Sequence, residues 1–396
     1  MIGVSVPKLR FPEFSGEWEE KKLGTTGKFF SGGTPLTTNK EFYNGNIPFI
    51  KSGEISKNNT EQFISEKGLK NSSAKLVKKG DLLFALYGAT SGEVAISKIN
   101  GAINQAVLNI ETNSDNIFLY NYFLKEKARI RQTYLQGGQG NLSAKLVKSL
   151  KLSIPSMGEQ KKISSFLSKV DSKIEKLEKK QHLWKTYKKG IMQQIFSQKL
   201  RFKDGNGEDY PDCEFKKLRE IAIVNDGTHF TPEYKETGIP FFSVETVVNN
   251  IEPKYISQEE HEKLIKRCQP KNGDILLTRI GTLAKSKLVD WGYDFSIYVS
   301  LALIKPKKSI NSSYLNQYFK TNIYKRDFLS KSLLLATPMK INVADLKSTI
   351  VQVPCLKEQE KISNFLSVID RKIRQLDNEL NNNKQFKKGL LQQIFC

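Results

Sequence analysis

The chain has 396 residues, with 63 Lys and Arg against 41 Asp and Glu, a formal net charge of +22. At about 150 residues per domain this length predicts two to three domains, and 38% hydrophobic with 10% aromatic residues excludes global disorder. No apolar run reaches the roughly 18–20 residues that span a bilayer, and the opening MIGVSVPKLRFPEF lacks the pattern of a signal peptide; a cytoplasmic protein with a polyanionic partner, nucleic acid first, is expected.

In chain order, a globular part is expected over residues 1–155. It has strands at 47–51, 81–87 and 106–111 and a helix at 117–132, punctuated by Gly and polar loops. The loops are Ser31-Gly32-Gly33-Thr34-Pro35, Gly88-Ala89-Thr90-Ser91-Gly92 and 136–141. After Pro155 a long helix is expected over 156–198, since Ile163, Val170, Leu177, Trp184 and Ile191 recur every seven residues. A second globular part, 199–354, is expected to carry strands at 274–279 and 297–304 and a helix at 312–329. Its loops are Asp226-Gly227-Thr228-His229-Phe230-Thr231-Pro232, Arg279-Ile280-Gly281-Thr282 and 337–342. A last helix is expected over 355–396, where Ile362, Ile369, Leu376 and Leu390 keep the seven-residue spacing.

The two helical segments are copies of each other. Residues 159–196 and 358–395 share 20 identities in 38 positions without a gap. Weaker echoes lie upstream: Lys8-Leu9-Arg10-Phe11 recurs as Lys199-Leu200-Arg201-Phe202, and Gly80-Asp81-Leu82-Leu83 as Gly273-Asp274-Ile275-Leu276. The chain is thus a duplicated unit of about 200 residues whose tails agree and whose globular parts diverge. The seven-residue pattern, with companions four residues on, is the a/d seam of a coiled coil. At ~1.5 Å per residue each helix is ~60 Å long, and its stripe is too narrow for a globular core, so the two stripes are expected to face each other. Lys188 and Lys387 fall on seam positions, where polar residues commonly fix register or orientation. The helical segments carry net charges of +6 and +2, which leaves +14 for the globular parts and linkers. The anionic partner is therefore expected mainly on the globular parts.

The loops supply side chains able to bond base edges and phosphates, with Gly permitting close backbone approach. The candidates in the first half are Lys51, Ser52, Tyr87, Thr90, Ser91, Asn104, Gln105, Gln139 and Asn141. Those in the second are Thr228, His229, Arg279, Thr282, Tyr298, Lys340 and Asn342. Arg279 is of the type that pairs with guanine, and Asn104, Gln105, Gln139 and Asn342 of the type that pairs with adenine.

Catalytic and metal motifs are missing. There is no amino-methyltransferase Pro-Pro motif, no glycine loop for S-adenosylmethionine and no P-loop. Asp212-Cys213-Glu214-Phe215-Lys216 is too compact for a nuclease signature. Cys213, Cys268, Cys355 and Cys396 lie far apart, and with His182, His229 and His261 they make no zinc spacing. Reduced thiols are expected.

The EQ-KIS-FLS openings and KKG--QQIF ends of the helices, Pro-Lys-Leu-Arg-Phe-Pro, Ser-Gly-Gly-Thr-Pro and Asp-Gly-Thr-His-x-Thr-Pro together resemble the specificity subunits of Type I restriction-modification enzymes, over essentially the whole chain. The resemblance implies an α+β protein: two mixed α/β target recognition domains (1–155 and 199–354) and two helices forming an antiparallel coiled coil, with pseudo-twofold symmetry. The repeat alone does not distinguish parallel from antiparallel. The resemblance also implies that each recognition domain reads half of a bipartite site in double-stranded DNA and that the helices set the spacer. Half-sites one turn apart lie about 34–36 Å apart. Two modification subunits would dock and methylate adenine, and two restriction subunits would add ATP-driven cleavage. S-adenosylmethionine, ATP and Mg would then serve the partner subunits, and this chain would bind no cofactor or metal and catalyse nothing by itself. The other reading of the composition is a basic scaffold that binds an acidic partner without DNA sequence preference.

Overall fold

The computed structural model describes residues 6–134, 141–249 and 251–395. The chain divides into two compact units, one of Met1–Lys179 with Asn378–Cys396 and the other of Lys180–Asp377. The division falls inside the two long helices, Met157–Phe196 and Leu356–Ile394. Each unit therefore combines one globular part with a half of each helix.

In the first unit the strands are β1 Glu19–Lys22, β2 Gly27–Ser31, β3 Tyr43–Ile50, β4 Phe63–Ile64, β5 Lys75–Val77, β6 Leu82–Ala85, β7 Val94–Ile96, β8 Gly101–Ile103, β9 Val107–Thr112 and β10 Lys151–Ile154. One sheet runs β2-β9-β6-β7 and another β4-β3-β8-β5, while β1 pairs with β10 and joins the two ends of the globular part. The Leu-Leu-Phe-Ala run of β6 is buried throughout. Its alternate residues serve different cores: Leu82 and Phe84 pack with Phe118 and Phe123, and Leu83 and Ala85 with Ile50, Ile103 and Val107. A continuous apolar run marks a strand covered on both faces, and alternation divides it between them.

The second unit repeats this plan with β11 Glu214–Lys217, β12 Ala222–Asp226, β13 Ile239–Phe242, β14 Lys254–Ile256, β15 Ile275–Thr278, β16 Ser286–Leu288, β17 Ser296–Ile297, β18 Leu301–Pro306 and β19 Ile350–Val353. Its sheets run β12-β18-β15-β16 and β14-β13-β17, and β11 pairs with β19. Among the described residues no fourth strand corresponds to β5; the helix Gln258–Ile265 lies against β17 instead, where His261 Nδ1 and Ser296 Oγ are 2.9 Å apart.

Two expected elements are split. The strand expected at 297–304 is two, β17 and β18, in different sheets. The break is a turn, closed by the Leu301 amide donating to the Tyr298 carbonyl. The helix expected at 312–329 is also two, Ser312–Phe319 and Asn322–Ser330, because Thr321 caps the second: its hydroxyl accepts from the Tyr324 amide. The helix expected at 117–132 is Asn116–Tyr134.

The long helices run antiparallel within each unit. In the first, Asp171 pairs with Lys387 at 2.5 Å and Glu178 with Lys384 at 2.6 Å. In the second, Gln181 bonds Asp377 and Lys188 pairs with Asp370 at 2.6 Å. Ile163 and Leu167 join Leu390, Leu391 and Ile394 in the first core, and Met192 and Ile195 join Ile362, Leu366 and Ile369 in the second. The repeated motifs recur as repeated contacts. Arg10 forks onto Glu159 with two bonds of 2.8 Å, and Arg201 holds Glu358 at 2.8 Å. The next residue in each, Gln160 or Gln359, donates to the Pro155 or Pro354 carbonyl and accepts from the amide of Asp115 or Asn311. The Lys-Leu-Arg-Phe and Glu-Gln signatures are thus the two sides of one buried joint.

Candidate nucleic-acid interface

In each unit the sheet geometry gathers the candidate loops at one edge. In the first, β3 and β8 run parallel, with Ile50 opposite Ile103, so Lys51 and Asn104 leave their strands at the same end. Antiparallel pairing places Ser31 opposite Leu108 and Ala85 opposite Val107, which brings the ends of β2 and β6 to the start of β9. The Gly32 amide donates to the Asn104 carbonyl, the Leu86 amide to the Ala106 carbonyl and the Leu142 amide to the Leu86 carbonyl. Four loops are thereby fastened side by side. Gly32 is required here: a Cβ on it would lie 1.7 Å from the Ile103 carbonyl oxygen.

The second unit builds the same edge. Thr228 donates its amide to the Ile297 carbonyl and accepts from the Val299 amide; the Tyr298 amide reaches Phe242, and the Ile341 amide reaches Arg279. A Cβ on Gly227 would lie 2.1 Å from the Ile297 carbonyl oxygen. The glycines of the two openings therefore answer one steric demand, the crossing of the first strand's end over β8 or β17.

The candidates divide by exposure. In the first unit Tyr87, Gln105 and Asn141 are exposed, and Lys51, Ser52, Thr90 and Asn104 are half-buried. Gln105 accepts from the Thr34 hydroxyl at 2.7 Å, and the Asn104 carboxamide oxygen accepts from the Ala106 amide. In the second unit His229, Thr282, Lys340 and Asn342 are exposed and Tyr298 is half-buried. Gln139 lies outside the described residues.

Three candidates do not face solvent. Ser91 is buried and its hydroxyl donates to the Leu86 carbonyl. Thr228 is buried at the strand crossing. Arg279, expected to pair with guanine, is buried because it stands where the first unit has the core residue Leu86: each directly follows its strand and accepts the amide of the equivalent loop, from Leu142 or Ile341. Its guanidinium donates to the Val299 and Ile341 carbonyls and lies 3.5 Å from Asp226. Burial lowers its pKa against the raising charge of Asp226. Arg279 is a fastener of the edge.

Composition and spacing left other residues of the edge unmarked. Arg267 bonds Asp226 at 2.8 Å across 41 positions, a link no local pattern announces. Leu333, Leu334 and Leu335 are exposed beside the edge, Leu335 completely so (101%). Their loop is anchored where the Gly281 amide donates to the Met339 carbonyl.

The residues of the seven-residue pattern differ in burial. Ile163, Leu177, Ile362, Ile369, Leu376 and Leu390 are buried, and Val170, Trp184 and Ile191 are half-buried. Beside Trp184 and Ile369 in the second unit, Leu183, Tyr187, Phe365 and Val368 line an open apolar groove of about 720 Å³. No described helix is long and apolar enough to cross a membrane, and no group of three or more His, Cys, Asp or Glu among the described residues could hold a metal ion.

The chain is a duplicated mixed α/β scaffold, with polar loops that differ between the copies fastened at one edge of each and a repeated joint to a long helix, the class of protein that presents two binding edges. The family model of the Type I restriction modification DNA specificity domain matches residues 15–184 and again 210–383, and the chain belongs to that family. It is similar to the Type I restriction enzyme MjaVIII specificity subunit of Methanocaldococcus jannaschii, 25% identical over 391 residues that cover 92% of this chain and 88% of that one. It is also similar to the EcoR124I/EcoR124II specificity subunit of Escherichia coli, 27% identical over 175 residues, 41% of this chain and 43% of that one. A crystal structure of the Type I system S subunit from M. genitalium shares the fold with a TM-score of 0.66, at 16% identity over 98% of this chain and 99% of that one. The chain is thus a DNA-sequence specificity subunit, a non-catalytic component of Type I restriction-modification, and the scaffold reading is not favoured.

Proposed function

We propose that each globular part, 1–155 and 199–354, is a target recognition domain that reads one half of a bipartite site in double-stranded DNA. The paired helices, 156–198 and 355–396, act as an antiparallel coiled coil with pseudo-twofold symmetry that sets the spacer. The observation that carries this reading is the matched edge: the same strand ends are fastened by equivalent backbone bonds in both units, while the exposed side chains differ. Tyr87, Gln105 and Asn141 serve the first half-site, with Lys51, Ser52, Thr90 and Asn104 beside them. His229, Thr282, Lys340 and Asn342 serve the second, with Tyr298. Ser91, Thr228 and Arg279 hold the loops that carry them.

Two modification subunits dock in this reading, one of them on the groove at Trp184 and Tyr187, and two restriction subunits complete the enzyme. S-adenosylmethionine, ATP and Mg serve those partners, and the complex works in the cytoplasm. The test is sequencing of adenine methylation in cells with and without this chain. A bipartite motif that appears only with it is expected. Replacing residues 1–155 should change one half-site, and lengthening both helices should change the spacer. A spacer indifferent to helix length would refute the ruler.

A further inference from the structure

The two edges differ at the outer flank of β8 and β17. In the first unit that flank is strand β5, and Gly33 packs on Ser73 there: a Cβ on Gly33 would lie 2.6 Å from the Ser73 Cβ. In the second it is the helix Gln258–Ile265, which ends in an anchored turn, the Arg267 and Cys268 amides both donating to the Leu264 carbonyl. This turn puts Arg267 against Asp226, the last residue of β12, where the first unit has Ser31.

Asp226 is only 14% exposed and gathers three cationic or potentially cationic groups. Its Oδ1 accepts from Arg267 Nη2 at 2.8 Å; its Oδ2 is 2.8 Å from His229 Nε2 and 3.5 Å from Arg279 Nη1. Burial raises its pKa, but His229 and Arg267 outweigh that and hold it below the usual value. Arg279 is enclosed, whereas Arg267 is 58% exposed and lines a hollow of about 270 Å³ with His229, Thr228 and Lys263. Nε and Nη1 of Arg267 have no partner among the described residues. Lys263, on the same hollow, is paired with Glu259 at 2.8 Å, so Arg267 is the exposed cation there with donors to spare.

We infer that Arg267 is a base-reading residue of the second recognition domain and that it reads guanine. The inference rests on the reading that this unit recognises half of a DNA site. Held by Asp226 through one Nη2 hydrogen, the guanidinium is restrained and keeps the second Nη2 hydrogen, beside Nη1 or Nε, as a fork that matches the O6 and N7 acceptors of guanine in the major groove. Phosphate oxygens accept the same fork, but a phosphate contact weakens all sequences alike, whereas a base contact discriminates at one position. The second half-site therefore contains a G·C pair that this residue specifies, and the first unit, with Ser31 and β5 in these places, has no equivalent reader.

The test uses the complex with its modification subunits. Arg267→Ala and Arg267→Lys should both relax one position of the second half-site in the methylome. Each should weaken binding to the unmodified target about tenfold to a hundredfold, while the first half-site and complex assembly stay intact. Replacing guanines one at a time by 7-deazaguanine should weaken wild-type binding at one position, and Arg267→Ala should be insensitive to that replacement. Normal specificity with Arg267→Lys, or weakening that is even across sequences, would reassign Arg267 to a phosphate and overturn the inference. A second half-site without a G·C pair would also overturn it. If the wild-type complex shows no bipartite specificity, the underlying reading fails instead.

Discussion

Two residue-scale features decide whether each unit folds into a reader. One is the joint between the domain opening and the long helix. Glu159 and Glu358 are almost wholly buried, at 2% and 1% exposure, and each meets one arginine, Glu159 also accepting from Trp18 Nε1. Removing that carboxylate takes away the arginine's charged buried partner and leaves it weaker ones, for Arg201 the Pro211 carbonyl and Asp212 at 3.5 Å. Glu358→Ala is expected to cost about 3 kcal/mol, the lower end for breaking a buried pair because Arg201 keeps some contact with water; urea unfolding followed by circular dichroism measures it. The other is the strand crossing. Gly32→Ala drives a methyl into a carbonyl and should lower the melting temperature and abolish reading of the first half-site, since the backbone bond to Asn104 cannot form with that methyl in place. Leu335→Ser marks the contrast: a fully exposed side chain contributes little to packing, so unfolding should shift by no more than about 0.5 kcal/mol, and any loss of DNA binding reports a lost contact.

At the scale of elements, the polar positions of the helix seam are reciprocal. Lys188 and Asp370 in one unit, and Lys387 and Asp171 in the other, are the same pair of repeat positions used twice. A lysine on an apolar seam is tolerated only where a partner meets it, so these pairs favour one register and direction over others. For Asp370, burial raises the pKa, but the bonds from Lys188 and Gln317 outweigh it and the carboxyl ends below its ordinary value. A depressed folded-state pKa stabilises above the unfolded value, about 3.9, and that contribution is lost as pH falls through the folded value. The stability difference between wild type and Asp370→Asn should therefore hold steady above about pH 5 and shrink below about pH 4. Chemical unfolding at several pH values measures this, and a difference that grows on acidification would contradict it.

For the whole molecule, the charge of +22 has a general role and a limited one. Cationic side chains release counterions from DNA, so binding by the assembled complex should fall steeply with salt, each phosphate contact adding about −0.9 to the slope of log K against log salt. Lys340→Ala should reduce the magnitude of that slope by about one and weaken all sequences alike. In the proposed reading charge supplies grip at both edges, while discrimination comes from the few donors and acceptors left without partners inside the protein.

The sequence by itself determined the duplication, the long helices with their seam, the absence of catalytic loops and the neighbourhoods of both edges. These are local signals: a seven-residue period, a repeated string, a glycine before a polar turn. Tertiary structure alone decided which edge residues remain free to bind. Arg279 carries the side chain suited to guanine, yet its place after β15 turns it into the core position of Leu86. Arg267 stood in an unremarked stretch, yet a helix in place of a strand carries it to Asp226, 41 residues away. The direction of the helices, too, came from pairs such as Asp171 with Lys387. A donor's availability depends on partners distant in sequence, and no periodicity encodes that.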